Sequence, residues 1–196
     1  MDITDLILDD HREQRRLFAM LEQADGAGTA TLGLLWSRLA AFLEVHAQAE
    51  EEIFYPELIR VGLMTGQASQ AEDETLDAIG DHNDIRDTIT AVADHQVGSG
   101  GWHSAIAAVN VANGNHMAEE EREGLTDFRR GAGLAVRHDL ALRFAAFEAQ
   151  HFAGIMPVDK DPAGYVRQAE QAALSGLQSG VLSIGSLRDG TWPPQF

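Results

Sequence analysis

The stretch HAQAEEEIFYPEL, residues 46–58, decides how this chain is read. Glu50 follows His46 by four residues, so the two side chains stand one turn apart on one face of a helix. Leu35, Leu39, Phe42, Leu43, Val45, Ile53, Phe54 and Leu58 surround them at helical spacing and predict a helix over 30–60. Pro56 should end or kink that helix near its last turn.

The pattern returns 70 residues later in HMAEEERE, residues 116–123, where Glu120 follows His116. Each copy is preceded by an Asp-His: Asp10-His11 in DDHREQRRLF (9–18) and Asp81-His82 in GDHNDIRDTI (80–89). The histidines of a pair lie 35 residues apart in the first half and 34 in the second. Arg15 and Arg86 each follow the first histidine by four residues, and Glu51 and Glu121 each follow the glutamate. At this glutamate content, eight histidines give less than one His-x3-Glu by chance. Two occur, both mid-helix and both at the same interval after an Asp-His.

Outward from these blocks the chain reads as helix throughout. Helices are predicted over 3–24, 30–60, 70–95, 102–129 and 134–154, with a short sixth near 163–175. ADGAG at 24–28, Gly62 and Gly66, GSGG at 98–101, GAG at 131–133 and MPVDKDP at 156–162 punctuate them. Short connections imply antiparallel neighbours. The expected fold is all-α: an up-down-up-down four-helix bundle over 1–130, with a C-terminal helical extension and tail over 131–196 packed on it. The tail from Ser179 carries Val181, Leu182, Ile184, Leu187 and Trp192 and is expected to lie against the bundle.

Composition narrows the function. The 196 residues are 44% hydrophobic and 23% charged, ordinary for a globular chain with a real core. A net charge of −17 argues against nucleic-acid or anionic-membrane partners and favours cation uptake. No cysteine is present, which excludes disulfides, iron–sulfur clusters, thiolate zinc sites and cysteine nucleophiles. No run of about 18 apolar residues offers a membrane span. The N-terminal residues lack a basic stretch followed by an apolar core, so a cytoplasmic location is expected.

Four imidazoles and two carboxylates inside a bundle are costly unless something pairs them. Metal coordination removes that cost, and helices packed about 8–10 Å apart let side chains from all four converge near the axis. His11, His46, Glu50, His82, His116 and Glu120 are therefore the candidate metal ligands. Glu50 and Glu120 are the natural bridges between two metals about 3.5–4 Å apart. Mixed imidazole and carboxylate donors suit iron or manganese, with zinc still open.

DDHREQRRLF, HAQAEEEIFYPEL, GDHNDIRDTI and HMAEEERE resemble, in order and spacing, the four motif blocks of the hemerythrin-like HHE cation-binding family. The resemblance covers roughly residues 3–130. It implies the same bundle, and two non-haem iron ions joined by a bridging oxo or hydroxo group. Family roles include reversible dioxygen binding, oxygen, iron or nitric oxide sensing, and peroxide decomposition in some actinobacterial members. The chain departs from the classical pattern at one point. Hemerythrins carry two histidines four apart on the third helix, whereas His82 is flanked by Ala78 and Arg86. Some mycobacterial relatives resemble this chain, with tyrosine in place of a histidine ligand. Tyr55 is the candidate here, as a phenolate ligand or as a hydrogen-bond partner of one. Its angle from Glu50 on a regular helix is about 140°, so the helix must distort before Pro56.

The remaining residues take ordinary readings. Glu51, Glu52, Glu119, Glu121 and Glu123 read as solvated faces, with a second-sphere role open for Glu51 and Glu121. Arg15 and Arg86 read as surface ion pairs. His95 and His103 should be solvated, and Glu148 with His151 an ordinary helix-surface pair. Two function classes share the ligands: a binder of dioxygen or a related small diatomic, and a catalase-like enzyme that decomposes peroxide.

Overall fold

The computed structural model describes residues 1–24 and 26–186, with side chains described as far as residue 179. Asp2 starts the first helix: its carboxylate accepts from the Thr4 amide at 3.0 Å and from the Thr4 hydroxyl at 2.9 Å. Helix α1 (Ile3–Gln23) then runs to the glycine-bounded turn before α2 (Thr29–Ala49). Pro56 does not end the second helix. The chain passes through a π-helical turn, Glu50–Phe54, straight into α3 (Tyr55–Thr65). Proline has no amide hydrogen, and the first turn of a helical segment is where that loss costs least. Gly66, in the left-handed region at φ 78°, terminates the helix, and the Gln67 amide returns to the Gly62 carbonyl at 2.8 Å.

Helices α4 (Ala68–Val92) and α5 (Gly100–Arg122) complete the four-helix bundle. The helix expected over 102–129 is instead two. The chain leaves helical geometry at Glu123 (φ −111°, ψ −80°) and restarts as α6 (Gly124–Gly131), with Gly124 supplying the weak point. Helix α7 (Leu134–His151) packs on α1 and α2, and α8 (Pro162–Ser186) packs on α3 and α4. Helix α8 is much longer than the short helix expected near 163–175: it continues beyond Ala173 through LSGLQSGVLSIGS, whose serines and glycines are poor helix formers, so propensity alone understated its length. The expectation for the tail concerns side chains that lie outside the described residues. Among the described residues, none forms a strand, and no helix is long and apolar enough to cross a membrane.

The apolar core is divided. One cluster, with Ile3, Ile7, Phe54, Leu58, Ile79, Phe128 and Phe144, fills one end of the bundle. A second, with Leu17, Phe18, Leu39, Leu43, Val92, Trp102 and Val109, fills the other. Between them lies a layer of buried histidines and carboxylates.

Candidate metal centre

The six residues singled out from the sequence come together in that layer. His11 and His82 have 0% and 1% of their surface exposed, and Glu50 has none. The imidazoles meet as two pairs. His11 and His46 face each other edge-on with ring centroids 5.2 Å apart, and His82 and His116 at 4.5 Å. Each pair comes from one half of the sequence repeat.

Glu50 lies between the pairs. Its Oε1 is 2.9 Å from His46 Nε2 and 3.9 Å from His11 Nε2, while its Oε2 is 3.3 Å from His82 Nε2 and 3.9 Å from His116 Nε2. One carboxylate oxygen thus addresses each histidine pair. Glu120 joins the same layer, with Oε2 3.3 Å from His11 Nε2 and Oε1 accepting from the Tyr55 hydroxyl at 2.8 Å. His82 Nε2 and His116 Nε2 are 3.1 Å apart. Donors on one metal at about 2.0–2.2 Å sit roughly 2.8–3.6 Å from one another at right-angle to tetrahedral spacing. The shorter distances of this site fall in that range.

The other ring nitrogen of every histidine faces a carboxylate. His46 Nδ1 lies 3.2 Å from Asp10 and His116 Nδ1 3.5 Å from Asp81, while His11 Nδ1 lies 3.0 Å from Glu121 and His82 Nδ1 2.9 Å from Glu51. A carboxylate at Nδ1 holds the hydrogen there and leaves the Nε2 lone pair turned inward for a cation. The aspartate of each Asp-His braces the second histidine of its own half. The glutamate after each His-x3-Glu braces the first histidine of the other half.

Several inward atoms have no hydrogen-bond partner: His11 Nε2, His46 Nε2, both oxygens of Glu50 and Glu120 Oε2. His46 Nε2 and Glu50 Oε1 are close, but their angles do not make a hydrogen bond. Buried polar atoms without partners are costly, and their convergence on one space is what a cation site requires. His11, His46 and Glu50 can hold one ion, and Glu50, His82 and His116 a second. Without a cation, protons balance the charge. Burial would lower the His116 imidazole, but Asp81 and then Glu50 and Glu120 outweigh it and push it up to about 10. Burial likewise opposes the shift at His46, where the Glu50 charge and Asp10 prevail and raise it well above the usual imidazole range. For Glu50, burial is overcome by the His46 charge and the surrounding imidazoles, which hold it well below the usual carboxylate range.

The π-helical turn explains Tyr55. Its amide donates to the Glu50 carbonyl, five residues back, so Tyr55 falls on the face of Glu50 instead of about 140° away. The ring is 1% exposed and lies 5.9 Å from His82. Burial first, then the charges of Glu120 and Glu50, raise the phenol well above its ordinary value and keep it neutral in the metal-free protein. In the same helix Pro56 cannot donate to the Glu51 carbonyl, and the Tyr165 hydroxyl of α8 donates to it instead.

Three ordinary readings are corrected. Glu51 is buried, with His82, Arg86 and the Lys160 ammonium as partners. Burial would raise its carboxyl, but those partners lower it to about 2. Arg86 is 4% exposed and lies between Glu51 at 2.8 Å and Glu44 at 3.3 Å, so it is no surface ion pair. Glu148 on α7 approaches Asp10 and His46 within 4.8 Å. Burial and the Asp10 charge push its carboxyl up to about 8. Lys160 was not foreseen at all. The Asn83 side chain bonds both its carbonyl (2.7 Å) and its amide (3.1 Å), which aims the ammonium at Glu51. No spacing in the sequence links residues 51 and 160.

A helical bundle carrying paired His/Glu clusters on four helices defines a metal-binding class. The hemerythrin HHE cation-binding domain profile matches residues 2–126, and the chain belongs to that family. Comparisons with curated proteins and with solved structures returned no match.

Proposed function

We propose that the chain binds two non-haem iron ions, with a bridging oxo or hydroxo group, and through them dioxygen or a related small oxidant. His11 and His46 hold one ion, and His82 and His116 the other. Glu50 and Glu120 span both, and Tyr55 takes the position left open beside His82. The observation that carries this reading is Glu50, which turns one oxygen to each histidine pair. Two irons supply reversible redox chemistry toward oxygen species. The chain's own residues orient the donors, exclude water with the two apolar clusters, and hold the protons on the imidazole Nδ1 atoms through the accepting carboxylates of Asp10, Asp81, Glu51 and Glu121. Metal analysis tests the ligand set: about two irons per chain in the wild type, and at most one in Glu50→Ala. A wild type that retains fewer than one iron refutes it. Exposing the reduced protein to dioxygen and then removing the gas should restore the reduced spectrum.

Tyr55 favours a second reading, catalase-like decomposition of two peroxides to two waters and dioxygen. An anionic phenolate donor stabilises iron(III), which disfavours reversible carriage. Gas evolution on adding peroxide supports this enzyme reading, and its absence rejects it. Nitric oxide is a third small ligand that the same site suits.

A further inference from the structure

We infer that the gap between α3, α4, α5 and α6 is a cation path, through which divalent metal ions reach the centre. This rests on the di-metal reading above. A narrow cavity of about 40 Å³ leads inward there. Its mouth is lined by Glu74, Asp77, Asp81, Glu119 and Glu123, with no lysine or arginine on the wall. Arg122 pairs with Glu123 at 2.8 Å and Asp81 meets His116 at 3.5 Å, which leaves Glu74, Asp77 and Glu119 without a basic partner among the described residues. The floor is formed by His116, Tyr55 and Glu120.

Acidic residues are common on a chain of net charge −17, so the cluster alone decides nothing. The floor decides it. The Glu120 side chain is 3% exposed, lines this cavity, and has an Oε2 without a hydrogen-bond partner. A second unpartnered buried oxygen, Glu74 Oε2, belongs to the same lining. The same cavity thus joins surface carboxylates to a candidate ligand. Ala78 keeps the lumen open, since a histidine in that position would fill it. Gly124 does the same at the α5–α6 break. A Cβ there would already touch Glu120, Glu74 and Leu58 at 3.7–3.8 Å. A low-dielectric slot lined by one sign of charge focuses the field and raises cation arrival by about 10–1,000-fold.

Cobalt(II) is a suitable probe, because its visible bands report occupancy of a histidine–carboxylate site. Metal-free full-length protein is mixed with cobalt(II) in a stopped-flow instrument at low salt. The variant Glu74→Gln/Asp77→Asn/Glu119→Gln should take up the ion about tenfold more slowly, yet reach the wild-type spectrum and two ions per chain. The difference should shrink when salt is raised to about 0.5 M. A control, Glu22→Gln/Asp87→Asn/Asp94→Asn, removes as much charge from the other end of the bundle and should load at the wild-type rate. Equal slowing in both triples overturns the path and assigns the effect to overall charge. Uptake of two ions at an unchanged rate overturns the path alone, and a wild type that takes up no cobalt overturns the path together with the di-metal reading.

Discussion

Replacing Tyr55 by Phe removes one oxygen and little else, which makes it the cleanest probe of the centre. In the metal-free protein the hydroxyl donates to Glu120 at 2.8 Å, with both residues almost wholly buried. A buried hydrogen bond to a charged group contributes about 1.5–3 kcal/mol. The loss should be at the upper end, because Glu120 Oε2 already lacks a partner and the variant orphans Oε1 as well. For a chain of this size, about 2–4 °C accompanies each kcal/mol, so the melting temperature should fall by roughly 3–12 °C. Chemical denaturation of the metal-free proteins measures the energy directly. The iron(III)-loaded proteins then give an independent reading. The wild type should show a visible phenolate-to-iron charge-transfer band, and Tyr55→Phe should lack it. A band that survives in Tyr55→Phe, or a wild type without one, refutes the assignment of Tyr55 as a ligand. Unchanged stability of the metal-free variant refutes the hydrogen-bond argument. The two outcomes are separable, since one concerns the proton on the phenol and the other its removal.

Arg86→Met should cost about 3–5 kcal/mol in denaturation, because it strands the buried carboxylate of Glu44 and takes from Glu51 one of its three partners, leaving His82 and Lys160. Arg15→Met, the same change at the half-exposed counterpart that meets Glu121, should cost less than about 1 kcal/mol, and equal losses would contradict the burial argument. Glu74 gives a pH signature in the metal-free protein. Burial, then Asp127 and Glu123, raise its folded carboxyl to about 7 from an ordinary 4.5, despite the Gln70 bond. The folded state is therefore penalised as pH rises from 4.5, and the penalty is complete above 7. Glu74→Gln should match the wild type near pH 4 and exceed it by about 1 kcal/mol at pH 8, a figure reduced for partial exposure. A gain that is largest at low pH would reverse the sign and reject the cause. Tyr165→Phe leaves the Glu51 carbonyl, freed by Pro56, without its donor, and should destabilise the metal-free protein by about 1–3 kcal/mol.

Much of the bundle was legible because its signals are local. Periodicity places α1 and α4, and the starts of α2 and α5, within a few residues, and His-x3-Glu fixes one helix face. The sequence called for a distortion before Pro56, and a π-helical turn stands there, but it gave neither the form of that distortion nor the break at Glu123. The π-helical turn at Glu50–Phe54 and the break at Glu123 both follow a His-x3-Glu-Glu block, one in each half. In the first half the helix absorbs an extra residue and turns Tyr55 toward Glu120. In the second it breaks, and Gly124 leaves open the cavity that Tyr55 and Ala78 also line. Ala78 is thus accompanied by a compensating deformation on the neighbouring helix.

The sequence echo also carried more than the six candidate ligands. Asp10 and Asp81, Arg15 and Arg86, and Glu51 and Glu121 repeat at the same offsets as the histidines, and each has the same role in both halves. The aspartates meet the second histidine of their own half. The glutamates meet the first histidine of the other half, and the arginine one turn beyond that histidine holds the glutamate at 2.8 Å in both cases. Each half therefore braces a histidine of the other, and neither half is a complete site alone. Ordinary odds assign a glutamate beside a ligand, or an arginine a turn away, to the surface, and those odds fail here because repetition preserved the whole set. Where the halves differ is burial. Arg15 and Glu121 remain open to water, whereas Arg86 and Glu51 are closed over by Lys160 and Tyr165 from outside the repeat. The C-terminal helices thus break a near-symmetric arrangement, and they do so at the histidine pair beside Ala78, where the proposed ligand set is one histidine short of the classical pattern.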